Sequence, residues 1–268
     1  MELQSRFDEI EGRGLGLVAI LYDPPVTIKA FTGAHDIEFP VLSDEGSEVI
    51  RRYDLLNREQ ETDPGNRFFG IPYPGTFILD NAGRVTERFF EQRYQERFTV
   101  SSLLTRLADP ASGAARDATL IETNHLEALS YASDSVVAPG NRFSLLVDVT
   151  PKAGMHVYAP GDHTYQVIRL RLNTPEFVQS HDTSYPAAES YHFEPLDETV
   201  PVYVEPFRIV QEITIPMSPE IAALAGEPDA RLTIEGTLEY QACDDEICYL
   251  PVDVPVSWEF EWRPLVRN

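Results

Sequence analysis

Leu3, Phe7 and Ile10 recur every three to four positions, which predicts an amphipathic helix over residues 2–11 that Gly12-Arg13-Gly14 stops. The next apolar run starts at Leu15, is interrupted by Gly16, and continues without alternation from Leu17 to Tyr22. Such a run reads as a strand covered on both faces. Asp23-Pro24-Pro25 turns the chain into a helix through about Ala34, because proline fits the first helical turn. After the short apolar piece Phe39–Leu42, Ser43-Asp44-Glu45-Gly46 supplies caps for a helix around Ser47–Tyr53. Thr76–Leu79 and Val85–Phe90 read as two strands joined at Asn81-Ala82-Gly83, and a helix over about Thr99–Leu107 follows. Helices and strands in this order fit an α/β layer that closes on an antiparallel hairpin.

The texture changes after Asp109-Pro110-Ala111-Ser112-Gly113-Ala114-Ala115, a run of small residues, Pro and Gly with the character of a linker. Short alternating runs then recur at Arg142–Val149, Val167–Leu172, Phe207–Ile215, Arg231–Tyr240 and Val252–Trp262, separated by Pro, Gly, Asn and Asp. That pattern predicts an all-β sandwich. The expected organisation is an α/β domain over residues 1–108, a linker over 109–118 and a β-sandwich over 119–268.

Two domains suit a chain of 268 residues, at roughly 100–200 residues per domain. The formal net charge of -23 argues against nucleic acid, whose phosphates demand Lys and Arg, and against docking on anionic lipid. No stretch reaches the roughly 18 apolar residues of a membrane span, so no membrane insertion is expected. The first residues lack a basic stretch leading into an apolar core, so no signal peptide is read there. No phosphate loop, nucleophile elbow or metal-binding helix motif occurs, and no cofactor is called for. His156 and His163 flank a Tyr-Ala-Pro-Gly turn, which reads as a surface loop in preference to a metal site.

Chemistry concentrates in two cysteines, Cys243 and Cys248, within Leu238-Glu239-Tyr240-Gln241-Ala242-Cys243-Asp244-Asp245-Glu246-Ile247-Cys248-Tyr249-Leu250-Pro251. A strand runs in to Tyr240 and another runs out from Val252, so Asp244–Ile247 is expected at a hairpin tip with the cysteines facing across it. Cross-strand Cβ atoms lie about 4.5–5.5 Å apart, close enough for a slightly strained, reducible disulfide. A structural disulfide is the alternative, although so short a loop contributes only about 2 kcal/mol. Zinc would need further Cys or His ligands nearby. Asp244, Asp245 and Glu246 would raise a neighbouring thiol's pKa by repelling the thiolate.

The segment Gly70-Ile71-Pro72-Tyr73-Pro74-Gly75-Thr76-Phe77-Ile78-Leu79-Asp80, with "LVAILYDPP" and "FPVLSD" upstream, resembles thioredoxin-like and peroxiredoxin-like (redoxin) proteins. The resemblance implies a thioredoxin-like fold in which Pro74 is the cis-proline and Tyr73–Pro74 contacts substrate. The family's first strand and its cysteine motif would precede Glu2, and residues 1–242 hold no cysteine. Either a strand, a cysteine motif and a leader lie upstream, as in a longer redoxin-type peroxidase or reductase, or this region is a binding scaffold.

"LEYQACDDEICYLP", together with Gly154-Met155-His156-Val157-Tyr158-Ala159-Pro160-Gly161, is similar to the amino-terminal domain of the thiol:disulfide interchange protein DsbD family, an immunoglobulin-like module. The resemblance implies an extracytoplasmic, periplasmic setting and disulfide exchange. Cys248 is then the exchanging sulfur and Cys243 the resolving one. Thioredoxin-like or membrane redox proteins and oxidised protein substrates are the implied partners. It also implies a cap over the cysteines, for which Phe193–Thr199 with Asp197 and Glu198 is the candidate, and it makes Tyr240, Gln241, Tyr249 and Phe193 candidate contacts. The competing function is a protein-binding module with a structural disulfide.

Overall fold

The computed structural model describes residues 2–60, 65, 69–90, 96–107, 118–193 and 197–263. The chain divides into two compact units, Met1–Val100 and Ser101–Asn268. Residues 109–117 of the expected linker lie outside the described residues, as does the side chain of Phe193.

The first unit runs α1 (Glu2–Ser5), α2 (Phe7–Gly12), β1 (Ala19–Leu21), α3 (Pro25–Ala34), β2 (Val41–Ser43), α4 (Glu48–Arg52), β3 (Gly75–Leu79), β4 (Val85–Phe90) and β5 (Arg97–Phe98). α3 starts on Pro25, as the Pro-Pro turn predicts. Asp44 caps α4, its two carboxylate oxygens accepting from the Val49 and Ile50 amides at 3.0 and 2.8 Å. β1 pairs with β2 in parallel, and β3 pairs with β4 antiparallel across the Asp80–Gly83 turn. Two expectations fail here. The Leu17–Tyr22 run is not a fully buried strand: only Ala19–Leu21 is extended, and Val18 and Ile20 are 55% and 48% exposed. An unbroken apolar run carries no information on how many neighbours a strand has, and among the described residues β1 has only β2 beside it. The Tyr73–Pro74 peptide is trans, since no described peptide bond is cis. Trans is the ground state of X–Pro bonds, and this segment is held by backbone pairing, with the Tyr73 amide donating to the Leu55 carbonyl at 2.7 Å.

The second unit is a sandwich. After α5 (Val100–Arg106) come β6 (Thr119–Glu122), β7 (Leu126–Ala132), β8 (Val136–Val137), β9 (Asn141–Pro151), β10 (His156–Tyr158), β11 (Arg169–Asn173), β12 (Gln179–Ser184), β13 (Glu189–Phe193), β14 (Glu198–Tyr203), β15 (Phe207–Thr214), α6 (Pro219–Leu224), β16 (Arg231–Tyr240), β17 (Ala242–Cys243) and β18 (Val252–Trp262). One sheet runs β12-β15-β9-β7-β6 and faces a second, β11-β16-β18-β8. Alternate residues of β9, β15, β16 and β18 interdigitate between them, including Phe143, Val147, Ile209, Ile234, Leu238 and Phe260. Each such fully buried side chain stabilises by roughly 1.5–3 kcal/mol. The outer face of β9 is also covered. Ser144 bonds Ser102 of α5 at 2.7 Å, and Arg208 donates to both oxygens of Asp148 and to the Thr105 carbonyl. A third, smaller sheet, β13-β14-β10-β17, carries the cysteines.

Candidate functional site

β16 and β18 pair from Arg231↔Glu261 to Tyr240↔Val252, and there the ladder ends. The chain then leaves that sheet. β17 pairs with β10 instead, His156 opposite Cys243 and Val157 opposite Ala242. The cysteines face each other in an antiparallel bridge one residue out of register with the β16–β18 ladder. A one-residue slip reverses the face on which side chains point, so the excursion over residues 241–251 is a small hairpin of its own.

The small sheet is two-sided. Val157, Tyr203 and Ala242 enter the main sandwich core, while Tyr158, Val200, Val202 and Cys243 make a separate apolar cluster on the opposite face. Cys243 is thereby fixed by its strand and is only 1% exposed. Cys248, on the returning arm, is exposed. The two are joined in a disulfide, with Cα atoms 4.1 Å apart. Ile247 and Leu250, flanking Cys248, are 54% and 85% exposed.

The tip is organised by Asp244. Its Oδ1 accepts from the amides of Glu246 and Ile247 at 2.8 and 2.6 Å, and its Oδ2 accepts from the Tyr249 hydroxyl at 2.9 Å. Those backbone bonds, then the phenol, hold its carboxyl below the usual range. Asp244 is therefore a loop-closing group whose charge is satisfied locally. Asp245 accepts from the Tyr191 hydroxyl at 3.2 Å.

Aromatic rings floor the site. The Tyr158 hydroxyl lies 3.1 Å from Cys243 Sγ and 3.4 Å from Cys248 Sγ. Its ring stacks on Tyr165 at 4.2 Å and 5°, and Tyr165 donates to Glu198 at 2.9 Å. His156 is buried beside Cys243 and packs on Tyr191 at 4.5 Å. Burial holds its pKa down, against the upward pull of Asp245 and Asp244.

Of the residues expected at the site, Cys243, Cys248, Gln241 and Tyr249 come together. The Gln241 side chain donates to the Tyr249 carbonyl at 2.9 Å and accepts from the Gln166 amide, which pins the base of the hairpin. The Tyr249 ring packs on His125 at 4.5 Å. Tyr240 points elsewhere: it is fully buried in the sandwich and donates to Thr123 at 2.8 Å. Phe193 ends β13 opposite Glu198, so the expected cap segment is the β13–β14 hairpin end. Tyr73 and Pro74 lie in the other unit. Tyr158, Tyr165 and Tyr191 were not legible as site residues, and His156 was legible only as a loop or metal candidate beside His163. His156 sits in a buried strand and not in a surface loop, and among the described residues no group of three or more metal-ligating side chains gathers.

Residues 1–88 match the AhpC/TSA family, and residues 126–256 match the family described as thiol:disulfide interchange protein DsbD, N-terminal. The thiol-disulfide oxidoreductases ResA of Bacillus thuringiensis subsp. konkukian and of Bacillus cereus are each 26% identical over 97 residues, 36% of this chain. The chain spans 46% of the length of these curated relatives. Among solved structures, the reduced DsbD amino-terminal domain of Neisseria meningitidis aligns with 45% of this chain and 82% of its own, at 14% identity and a TM-score of 0.30. The amino-terminal periplasmic domain of ScsB from Proteus mirabilis aligns with 54% of this chain and 51% of its own, at 12% identity and a TM-score of 0.36. The chain thus joins a redoxin-type region to an immunoglobulin-like, β-rich domain of the DsbD amino-terminal kind, and its disulfide fits thiol–disulfide exchange in general.

Proposed function

We propose, for a chain that joins an AhpC/TSA-type region to a DsbD amino-terminal-type domain, that the Cys243–Cys248 pair exchanges disulfides with protein partners, and that Cys248 is the sulfur a partner attacks. The carrying observation is the asymmetry of exposure across one hairpin tip: Cys248 is open, flanked by exposed Ile247 and Leu250, while Cys243 is 1% exposed. Exchange needs in-line access to one sulfur and a held position for the other. A structural bond has less support, because closing six residues contributes only about 2 kcal/mol to a domain with a large core.

Partners on this reading are thioredoxin-like or membrane redox proteins on one side and oxidised proteins on the other. The setting is extracytoplasmic, with the periplasm the compartment that suits both a persistent disulfide and this family. No helix among the described residues is long and apolar enough to cross a membrane. Tyr73–Pro74 serves the first unit as its partner-contacting segment.

The test is mixed-disulfide trapping. Cys243→Ser leaves a lone Cys248 thiolate, which should attack a single-cysteine thioredoxin-like protein activated as its thionitrobenzoate mixed disulfide, release thionitrobenzoate, and form an adduct that cannot resolve. Cys248→Ser should not. Two variants that both reduce and reoxidise substrate like wild type would end this reading.

A further inference from the structure

Tyr158 comes from a strand 85 residues before Cys243, yet its hydroxyl sits between the two sulfurs, at 3.1 and 3.4 Å. A disulfide sulfur carries no proton, so in the oxidised protein the phenol is the donor and the sulfurs accept. The hydroxyl is aimed by packing and not by a loop. Tyr158 is 4% exposed, belongs to the strand that pairs with β17, and is stacked face to face on Tyr165, which Glu198 anchors.

We propose that Tyr158 is a catalytic residue, donating a hydrogen bond to Cys243 Sγ and so stabilising the thiolate that leaves when a partner attacks Cys248. The assignment rests on the exchange reading above. A partner thiolate forms a bond to Cys248 Sγ, the Cys243–Cys248 bond breaks, and its electron pair stays on Cys243 Sγ. The partner's second thiolate then attacks the partner's own half of the mixed disulfide and releases Cys248 as a thiolate. Two electrons have passed from a protein dithiol to the pair. Electron delivery runs backwards through the same steps: Cys248 attacks an oxidised substrate, and the Cys243 thiolate resolves the mixed disulfide.

Cys243 needs this help because it is almost wholly shielded from water, and an unpaired buried anion is costly. Burial pushes the Tyr158 pKa up to about 12, with Tyr165, Glu198 and Tyr191 adding to it. A free thiol ionises near 8.5. The proton therefore stays on the phenol oxygen throughout, and Tyr158 acts as a fixed dipole, not as an acid.

Tyr158→Phe removes one oxygen and keeps the ring in its stack. In the full-length chain, the second-order rate of disulfide reduction by dithiothreitol should fall about 10- to 100-fold, the range expected for a hydrogen bond to a charged group. In a Cys248→Ser background, the Cys243 thiolate absorbance titration should move up by about one pH unit or more when Tyr158→Phe is added. A merely structural role would lower the melting temperature and leave that titration in place. An unchanged rate, or an unmoved Cys243 titration, overturns the assignment. If the wild-type disulfide itself resists dithiothreitol, the exchange reading falls first and takes the assignment with it.

Discussion

Reducing the Cys243–Cys248 bond should cost the second unit about 2 kcal/mol and leave it folded. The ring it closes holds six residues, the cysteines being five apart in sequence. With a chain entropy of about -2.1 - 1.5R ln n, six residues give roughly -7 cal/mol/K, or about 2 kcal/mol at 25 °C. The tip has its own fastenings that reduction does not touch. The Asp244 amide donates to the Ile247 carbonyl and the Tyr249 amide to the Ala242 carbonyl, alongside the two amides that Asp244 caps. Urea unfolding followed by tryptophan fluorescence reads this unit alone, because both tryptophans, Trp258 and Trp262, are buried on β18. At an m-value of about 2 kcal/mol/M, the reduced protein should unfold about 1 M earlier with its slope unchanged. Hydrogen exchange should find the Glu246, Ile247 and Tyr249 amides still protected. A loss beyond about 5 kcal/mol, or a reduced protein without a cooperative transition, would refute the reasoning and mark the bond as a structural staple.

Two further outcomes follow from buried charge. His156 and His181 both have pKa values pushed below the ordinary 6.5, in each case chiefly by burial. The unfolded chain binds protons there that the native protein refuses, so stability is complete above about pH 6.5 and declines as pH falls below it. Glu239, held down by hydrogen bonds from Arg171 and Arg169, adds a second decline below about 4.5. Urea midpoints from pH 8 to 4 should show both breaks, and stability that rises from pH 7 to 5.5 would contradict the assignment. Separately, Asp148→Ala removes the buried carboxylate that both Arg208 and Tyr131 bond and should cost about 3–5 kcal/mol, whereas Asp148→Leu with Arg208→Met and Tyr131→Phe should stay far closer to wild type by the same denaturation assay.

How much the chain discloses depends on whether the information is local. Arg231–Tyr240 and Val252–Trp262 were legible to the residue because alternation marks a strand with one dry face, and both strands have one. Pro25–Ala34 was legible because proline fixes a helix start. The Leu17–Tyr22 run misled because hydrophobicity alone does not say what lies on either side. Asp244 showed its charge but not its direction, and only the fold shows its oxygens turned onto the loop's own amides. Tyr158 lies in the Gly154–Gly161 segment that resembles the DsbD family, but no local pattern there shows that its hydroxyl meets sulfur. Its place follows from the pairing of β10 with β17, a contact between segments about 85 residues apart.

That pairing explains why the cysteine hairpin leaves the main ladder. Had β16 and β18 continued in register, residues 241–251 would have extended a sheet whose inner face is filled by Leu238, Tyr240 and Val254, and the sulfurs would have had no separate surround. Alternation along the strand keeps Ala242 in the sandwich core with Leu238 and Tyr240 and puts Cys243 on the other face, where the switch to β10 at Gln241 surrounds it with Tyr158, Val200 and Val202. The core thus fixes the backbone of one sulfur, and a second apolar cluster fixes its surroundings. Cys248 has neither anchor: it is exposed, and the bonds that hold its arm run to Asp244, Ala242 and Gln241. A larger residue at Ala242 would therefore disturb the site from inside the core, whereas changes at Ile247 or Leu250 would alter only what a partner meets on its way to Cys248.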